Sequence, residues 1–315
     1  MSQTNITPPC ISIVVPCFNE EEAVPIFYEE TLKVIQSMGI GNYEFVFVDD
    51  GSSDRTLLKF RELSQRDQKV HYISFSRNFG KESALYAGLS KASGTYTAVM
   101  DADLQDPPSL LPQMLDVIEK EGFDCAATRR VTRKNELPIR SLFARLFYKI
   151  MGTMSDVQVV DGARDFRLMT ENYRKAVVSL CERNRFTKGI FPWVGFNTKW
   201  FEYENIERVA GKTKWSFWKL FKYSIDGIIG FSTKPLAFAS FVGIFMILLS
   251  FVIICFIIIR KLLFGDPAQG WASMVCIIIF LGGLQLFAVG ISGIYLSKIY
   301  LEVKQRPIFI AKEEN

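Results

Sequence analysis

Val99-Met100-Asp101-Ala102-Asp103-Leu104-Gln105-Asp106-Pro107-Pro108 is the stretch on which the fold turns. An apolar run from Tyr96 to Met100 stops at two carboxylates one residue apart, as where a buried strand of an open α/β sheet delivers polar groups at its carboxyl end. Such sheets bind their ligands at that edge. Two carboxylates held this close repel unless a cation lies between them, and oxygen donors of this kind suit Mg2+ or Mn2+ that also carries phosphates. The spacing points to a metal and diphosphate site at Asp101 and Asp103. The alternative is a turn cap ahead of the helix that Pro107 and Pro108 begin.

The same pattern repeats along the chain. Ile11 to Pro16 reads as a short buried strand, and Asn19-Glu20-Glu21-Glu22 opens a helix that runs to about Met38. Glu44 to Val48 is a second strand, ending at Asp49-Asp50-Gly51, after which Asp54 caps a helix to about Arg66. Val70 to Phe75, a helix from Lys81 to Ala92, and Thr95 to Met100 complete a series of right-handed βαβ units, which predicts a doubly wound, mostly parallel sheet. Asn19 and Glu20, Asp49 and Asp50, and Asp101 and Asp103 all follow strands, and polar groups gathered at one end of several strands describe a ligand crevice. No Gly-x-Gly-x-x-Gly follows the first strand, so a dinucleotide cofactor is not expected.

These motifs resemble the family 2 glycosyltransferases, inverting enzymes that use nucleotide sugars, and within them the polyprenyl-phosphate branch of dolichol-phosphate mannose synthases and bactoprenol glucosyltransferases. The residues that carry the resemblance are Val15-Pro16-Cys17-Phe18-Asn19-Glu20-Glu21, Val48-Asp49-Asp50-Gly51-Ser52, Ser76-Arg77-Asn78-Phe79-Gly80-Lys81-Glu82, Asp101 through Pro108, and Asp165-Phe166-Arg167-Leu168-Met169, in that order. The resemblance implies a Rossmann-like glycosyltransferase A fold. It also implies that Pro16, Glu20 and Asp50 hold the nucleotide base and ribose with Lys81 nearby, that Asp101, Asp103 and Gln105 face the metal and diphosphate, and that Asp165 and Arg167 enter the site near the sugar. Asp165 could act there as a base or as an orienting group, or simply form a buried ion pair with a neighbouring Arg.

After a fifth strand near Asp124 to Thr128 comes Arg129-Arg130-Val131-Thr132-Arg133-Lys134, read as a basic loop. Arg129 and Arg133 could bind the departing diphosphate or the phosphate of a lipid acceptor, or serve as general attraction to anionic lipid. The helix Pro138 to Met151 is amphipathic, with Arg140, Arg145 and Lys149 among apolar residues. Gly211-Lys212-Thr213-Lys214-Trp215-Ser216-Phe217-Trp218 resembles the family's acceptor-side loop running into an interfacial helix, with Lys212 and Lys214 on the acceptor side and an aromatic body suited to the bilayer surface.

From Leu236 to Leu296 the chain is nearly free of charge except at Arg260, Lys261 and Asp266. Residues 236–259 and 274–296 are each long enough to cross a hydrocarbon core of roughly 30 Å. The expected organisation is a glycosyltransferase domain over 1–210, a juxtamembrane amphipathic segment over 211–234, a two-helix transmembrane hairpin over 235–297 and a tail over 298–315. Lys219, Lys222, Lys234, Lys298, Lys304 and Arg306 flank the outer ends against Arg260 and Lys261 in the loop, which puts the catalytic domain and tail on the cytoplasmic side of the cell membrane. Gly282, Gly283, Gly290 and Gly293 permit close helix approach, and the resemblance favours a homotetramer.

Six scattered cysteines show no Cys-x-x-Cys spacing, so neither a disulfide framework nor zinc is indicated. A formal charge of +4 without a basic, aromatic-interleaved stripe gives no case for nucleic acid. The reaction expected from the resemblance is attack by undecaprenyl phosphate on a UDP-sugar, with inversion, giving a β-linked lipid-phosphate sugar that a flippase would later carry across the membrane. Asp103, Asp165 and Arg167 are the catalytic candidates. Glucose is the favoured sugar, with N-acetylglucosamine or mannose as alternatives. A processive polysaccharide synthase would carry Gln-x-x-Arg-Trp and more spans, and a non-catalytic adaptor would not need the intact acidic set.

Overall fold

Seven consecutive buried residues form β1 (Ile11–Cys17), as a strand covered on both faces requires. The computed structural model describes residues 11–130, 160, 162–203, 227–264 and 270–315. In chain order β1 is followed by α1 (Ala23–Ser37), β2 (Tyr43–Asp49), α2 (Thr56–Arg66), β3 (Val70–Phe75), α3 (Lys81–Lys91), β4 (Tyr96–Val99), a 3-10 turn (Pro108–Leu110), α4 (Leu111–Glu121) and β5 (Cys125–Arg130). Then come β6 (Ala163–Thr170), α5 (Glu171–Ser179), α6 (Thr187–Trp193), β7 (Thr198–Tyr203), two long helices, α7 (Lys234–Phe264) and α8 (Trp271–Val303), and β8 (Ala311–Glu314). The expected helix from Pro138 to Met151, the residues Arg133, Lys212 and Lys214, and the aromatic segment with Trp215 and Trp218 lie outside the described residues.

The eight strands form one sheet in the order β7-β5-β6-β4-β1-β2-β3-β8. The expected parallel pairing holds for β4-β1-β2-β3 and also for β5 with β7. The sheet is nevertheless mixed: β6 runs antiparallel between β4 and β5, and β8 runs antiparallel on the β3 edge. Alternation along the strands supplies two cores. Ile13, Val15, Phe45, Phe47, Phe166 and Leu168 face α1, α2 and α4, while Val14, Val46, Val99 and Met169 face α3, α5 and α6. Phe45, Phe47 and Phe60 stack in series on the first of these faces, with centroids 5.8 and 5.0 Å apart.

Two boundaries differ from the sequence reading. Helix α1 starts after Glu22 because Asn19 takes a left-handed φ of 54° and is tied to the loop after β2, so the residues from Asn19 to Glu22 are a turn. Arg129 and Arg130, read as the start of a loop, are the last two residues of β5, where the ladder to β7 fixes them.

Helices α7 and α8 are long and apolar enough to cross a membrane. Their outer ends return to the sheet domain. Tyr295 donates to the Ser232 carbonyl at 2.7 Å, Lys298 reaches Asn184 Oδ1 at 2.7 Å, and Glu302 accepts the Arg183 backbone N–H at 2.7 Å.

Candidate active site

Strands β1, β2 and β4 all end at one edge of the sheet, and β6, running the other way, begins there. Its register sets Val99 against Arg167, so continuing the ladder by two residues brings Asp101 opposite Asp165. The next position on β6 points to the opposite face: Asp165 and Arg167 look toward α3 and α6, and Arg164 looks toward α4.

Lys81, the first residue of α3, closes this arrangement. Its Nζ lies 2.7 and 2.9 Å from the two oxygens of Asp101 and 2.5 Å from Asp165 Oδ2. Burial opposes the lysine charge, but the carboxylates of Asp101 and Asp165 outweigh it and hold the ammonium well above the usual lysine range. Burial likewise pushes Asp165 up, yet Lys81, Lys188 and Arg167 together hold it well below the usual carboxylate range. Asp165 is ion-paired, but with Lys81 rather than with a neighbouring Arg. Arg167 stacks its guanidinium on Phe191, 3.4 Å from the ring centroid, and reaches the Arg164 carbonyl at 3.1 Å.

The carboxylates after β2 face inward. Asp49 accepts from Ser52 N–H and Ser74 Oγ at 2.8 Å each, and Asp50 accepts the backbone N–H groups of Phe79 at 2.6 Å and Gly80 at 3.0 Å. Burial raises the Asp50 carboxyl above its ordinary value, against those two N–H bonds. Asp50 thus shapes the turn, with Gly80 at a φ of 97°, that presents Lys81. Gly51 has a φ of 68°, and a Cβ there would meet the Arg77 carbonyl carbon at 2.4 Å, so the two loops touch backbone to backbone. Asn19 Oδ1 accepts the Ser53 N–H at 2.8 Å, and the Glu20 N–H donates to Thr56 Oγ1 at 2.8 Å. Pro16 is buried in β1 beside Val48.

In the acidic loop, Leu104 adopts a left-handed φ of 53°, unusual for a bulky residue, and buries its side chain in the core. Asp103 and Gln105 are left at the partly exposed side, with Asp103 Oδ1 accepting the Gln105 N–H at 3.2 Å. Gln105 Oε1 is also within 3.4 Å of Arg164 Nη2, a long contact. Beneath them Asp106 is 1% exposed and accepts from Arg164 Nε at 3.1 Å and from the Tyr203 hydroxyl. Its burial raises the carboxyl above the ordinary value despite Arg164.

Among the described residues, no three His, Cys, Asp or Glu side chains group into a complete metal cage. The donor set is nonetheless all oxygen, and Asp101 and Asp103 could supply two ligands to a hard dication whose remaining positions are filled by phosphate, the usual way Mg2+ is held. Arg129 is paired with Glu202 across the β5–β7 ladder. Sequence reasoning passed over Arg164, Tyr203, Lys188 and Phe191. The alternation of β6 around Asp165 was the available signal for Arg164; the others are brought in by tertiary packing alone.

Residues 12–177 match the family described as Glycosyl transferase family 2. The chain is 41% identical to the SfII prophage-derived bactoprenol glucosyl transferase of Shigella flexneri, over 97% of this chain and 98% of that protein. It is 38% identical to the prophage bactoprenol glucosyl transferase homolog of Escherichia coli K12, over 96% and 98% of the two chains. A crystal structure of glucosyl-3-phosphoglycerate synthase from Mycobacterium tuberculosis in complex with Mn2+, UDP and phosphoglyceric acid is similar with a TM-score of 0.45, 20% identity and coverage of 70% of this chain and 76% of that one. The protein is a glycosyltransferase. It belongs to glycosyltransferase family 2.

Proposed function

We propose that this enzyme transfers a sugar, glucose by preference, from a UDP-sugar to undecaprenyl phosphate with inversion at the anomeric carbon, giving a β-linked lipid-phosphate sugar and UDP. The observation that carries this reading is the similarity to a bactoprenol glucosyl transferase over 97% of the chain, hydrophobic helices included. Pro16 and Glu20 would hold the nucleoside, with Asp50 shaping that end of the site through the Phe79–Gly80 turn it fixes, and Asp101, Asp103 and Gln105 would face the diphosphate. A divalent cation bound there would neutralise charge building on the leaving diphosphate. The acceptor phosphate is anionic near neutral pH and needs little help from a base. Asp165, ionised and held by Lys81, is accordingly assigned to orient rather than to take a proton, and Arg167, fixed over Phe191, to keep the β6 edge in place. Arg129 is engaged by Glu202; Arg133, from the same basic loop, is assigned to the departing diphosphate or the acceptor phosphate, and Lys212 and Lys214 to the acceptor side that the resemblance implies.

In this reading α7 and α8 span the cytoplasmic membrane with the sheet domain on the cytoplasmic side, where the lipid phosphate is within reach. A homotetramer is part of the same proposal: among the described residues, a Cβ added at Gly282, Gly283, Gly290 or Gly293 would meet nothing within 4 Å, and that face is assigned to another copy. The test is a donor panel of UDP-glucose, UDP-N-acetylglucosamine and GDP-mannose given to the purified protein with undecaprenyl phosphate, reading product mass. A hexose adduct from UDP-glucose is expected, and an adduct from GDP-mannose alone would overturn the donor assignment.

A further inference from the structure

Lys81 is placed where a substrate-binding lysine has no need to be. Both oxygens of Asp101 are within 2.9 Å of its ammonium, and Asp165 is held by the same nitrogen. The lysine cannot easily drift away. It is the first residue of α3, its preceding Gly80 is pinned through Asp50, and α3 is seated on β1 and β2 with Gly88 against Val14 and Val48. Asp101 is also one of the two carboxylates that would hold a divalent cation. A dication and an ammonium cannot share one carboxylate without strong repulsion, more so in a partly buried setting than in water.

We propose that Lys81 is a resident counter-cation that competes with the divalent metal for Asp101, so that metal and nucleoside diphosphate are taken up cooperatively rather than independently. This rests on the reading above, in which Asp101 and Asp103 face the diphosphate. Without a donor, Lys81 satisfies Asp101 and Asp165 and keeps bare metal weakly bound. An arriving diphosphate brings the anionic charge that lets Lys81 release Asp101 while staying on Asp165 or turning to a phosphate oxygen. Linkage then makes the coupling reciprocal: whatever factor UDP adds to metal affinity, metal adds to UDP affinity.

The test measures binding of Mn2+ alone, by the electron paramagnetic resonance signal of the free ion, to the full-length purified protein with and without UDP. Wild type should bind Mn2+ at least tenfold more tightly with UDP present. Lys81→Met, confirmed folded by its thermal transition, should bind Mn2+ at least tenfold more tightly than wild type in the absence of UDP and lose most of the UDP effect. Lys81→Arg, which keeps the charge, should behave as wild type. Asp165→Asn, which leaves Lys81 to Asp101 alone, should bind bare Mn2+ no better than wild type, and it serves if Lys81→Met does not fold. Unchanged bare-Mn2+ affinity in Lys81→Met, or tighter binding in Asp165→Asn, overturns the counter-cation role while leaving the functional reading intact. Failure of wild type to bind UDP at all would instead remove that reading.

Discussion

Asp106 is the one carboxylate of the acidic loop that solvent does not reach, and its neighbours explain why it is there. Arg164 and Tyr203 both donate to its Oδ1, which ties the loop after β4 to the start of β6 and the end of β7. Truncation would leave a largely buried guanidinium without its partner, a change that costs about 3 kcal/mol in comparable buried pairs. Asp106→Ala should therefore lower the thermal midpoint by several degrees, and Tyr203→Phe by less, with calorimetry or circular dichroism as the readout; a midpoint within one degree of wild type in Asp106→Ala would show that the pair does not hold the loop. The place of Asp101 and Asp103 just past the end of a buried strand was legible from the apolar run that stops at them. That of Asp165 was not, because its partner Lys81 lies 84 residues away and its position opposite Asp101 depends on an antiparallel register that no local pattern encodes.

Helix α3 and strand β8 show how elements position these residues. A Cβ on Gly88 would lie 2.3 Å from Val14 Cγ1 and 3.2 Å from Val48 Cγ2, so α3 sits as close to the sheet as it does only because this residue is glycine. Gly88→Ala should destabilise by about 1–3 kcal/mol through overpacking, read as a lower denaturant midpoint at unchanged slope. Because α3 carries Lys81 at its start, affinity for UDP in the presence of Mn2+ should fall with it. Strand β8 was not expected as a strand at all: Ala311-Lys312-Glu313-Glu314 has neither β-branched residues nor apolar alternation, and charged edge strands of this kind are read as tail. It is held by side chains. Arg61 pairs with Glu313 at 2.5 Å, and Tyr72 donates to the same carboxylate at 2.6 Å. The Arg61 hydrogen bond, joined by that of Tyr72, pulls the Glu313 carboxyl down to about 2. A depressed carboxyl stabilises above its unfolded value of roughly 4.3 and loses that contribution as pH falls through the folded value. Exchange protection of the β3 and β8 amides, corrected for intrinsic rate, should accordingly weaken between about pH 4 and 2, and Glu313→Gln should abolish that pH dependence. Retained dependence in the variant would assign it to another group.

At the scale of the whole molecule, the chain leaves the sheet domain into α7, returns through α8 and closes on the sheet edge with β8, so the end of α8 is fastened to the sheet domain through Arg183 and to the approach to α7 through Ser232. That organisation suits the proposed transfer from a soluble donor to an acceptor embedded in the bilayer. The doubly wound half could be read from its alternating strands and helices because each βαβ unit is local. The mixed half, where β6 inserts between β4 and β5, could not, since its pairing partners are distant in sequence. The proposed transfer of sugar to a lipid phosphate rests on acidic side chains at the β4 edge acting with a divalent cation. It is tested most directly by following hexosyl undecaprenyl phosphate by mass, from UDP-glucose and undecaprenyl phosphate, with wild type and Asp103→Ala, each with EDTA and after restoring Mn2+. Product is expected with wild type, with its loss in EDTA, recovery with Mn2+, and a fall of about 100-fold or more in Asp103→Ala. Undiminished product from Asp103→Ala in the presence of EDTA would contradict it.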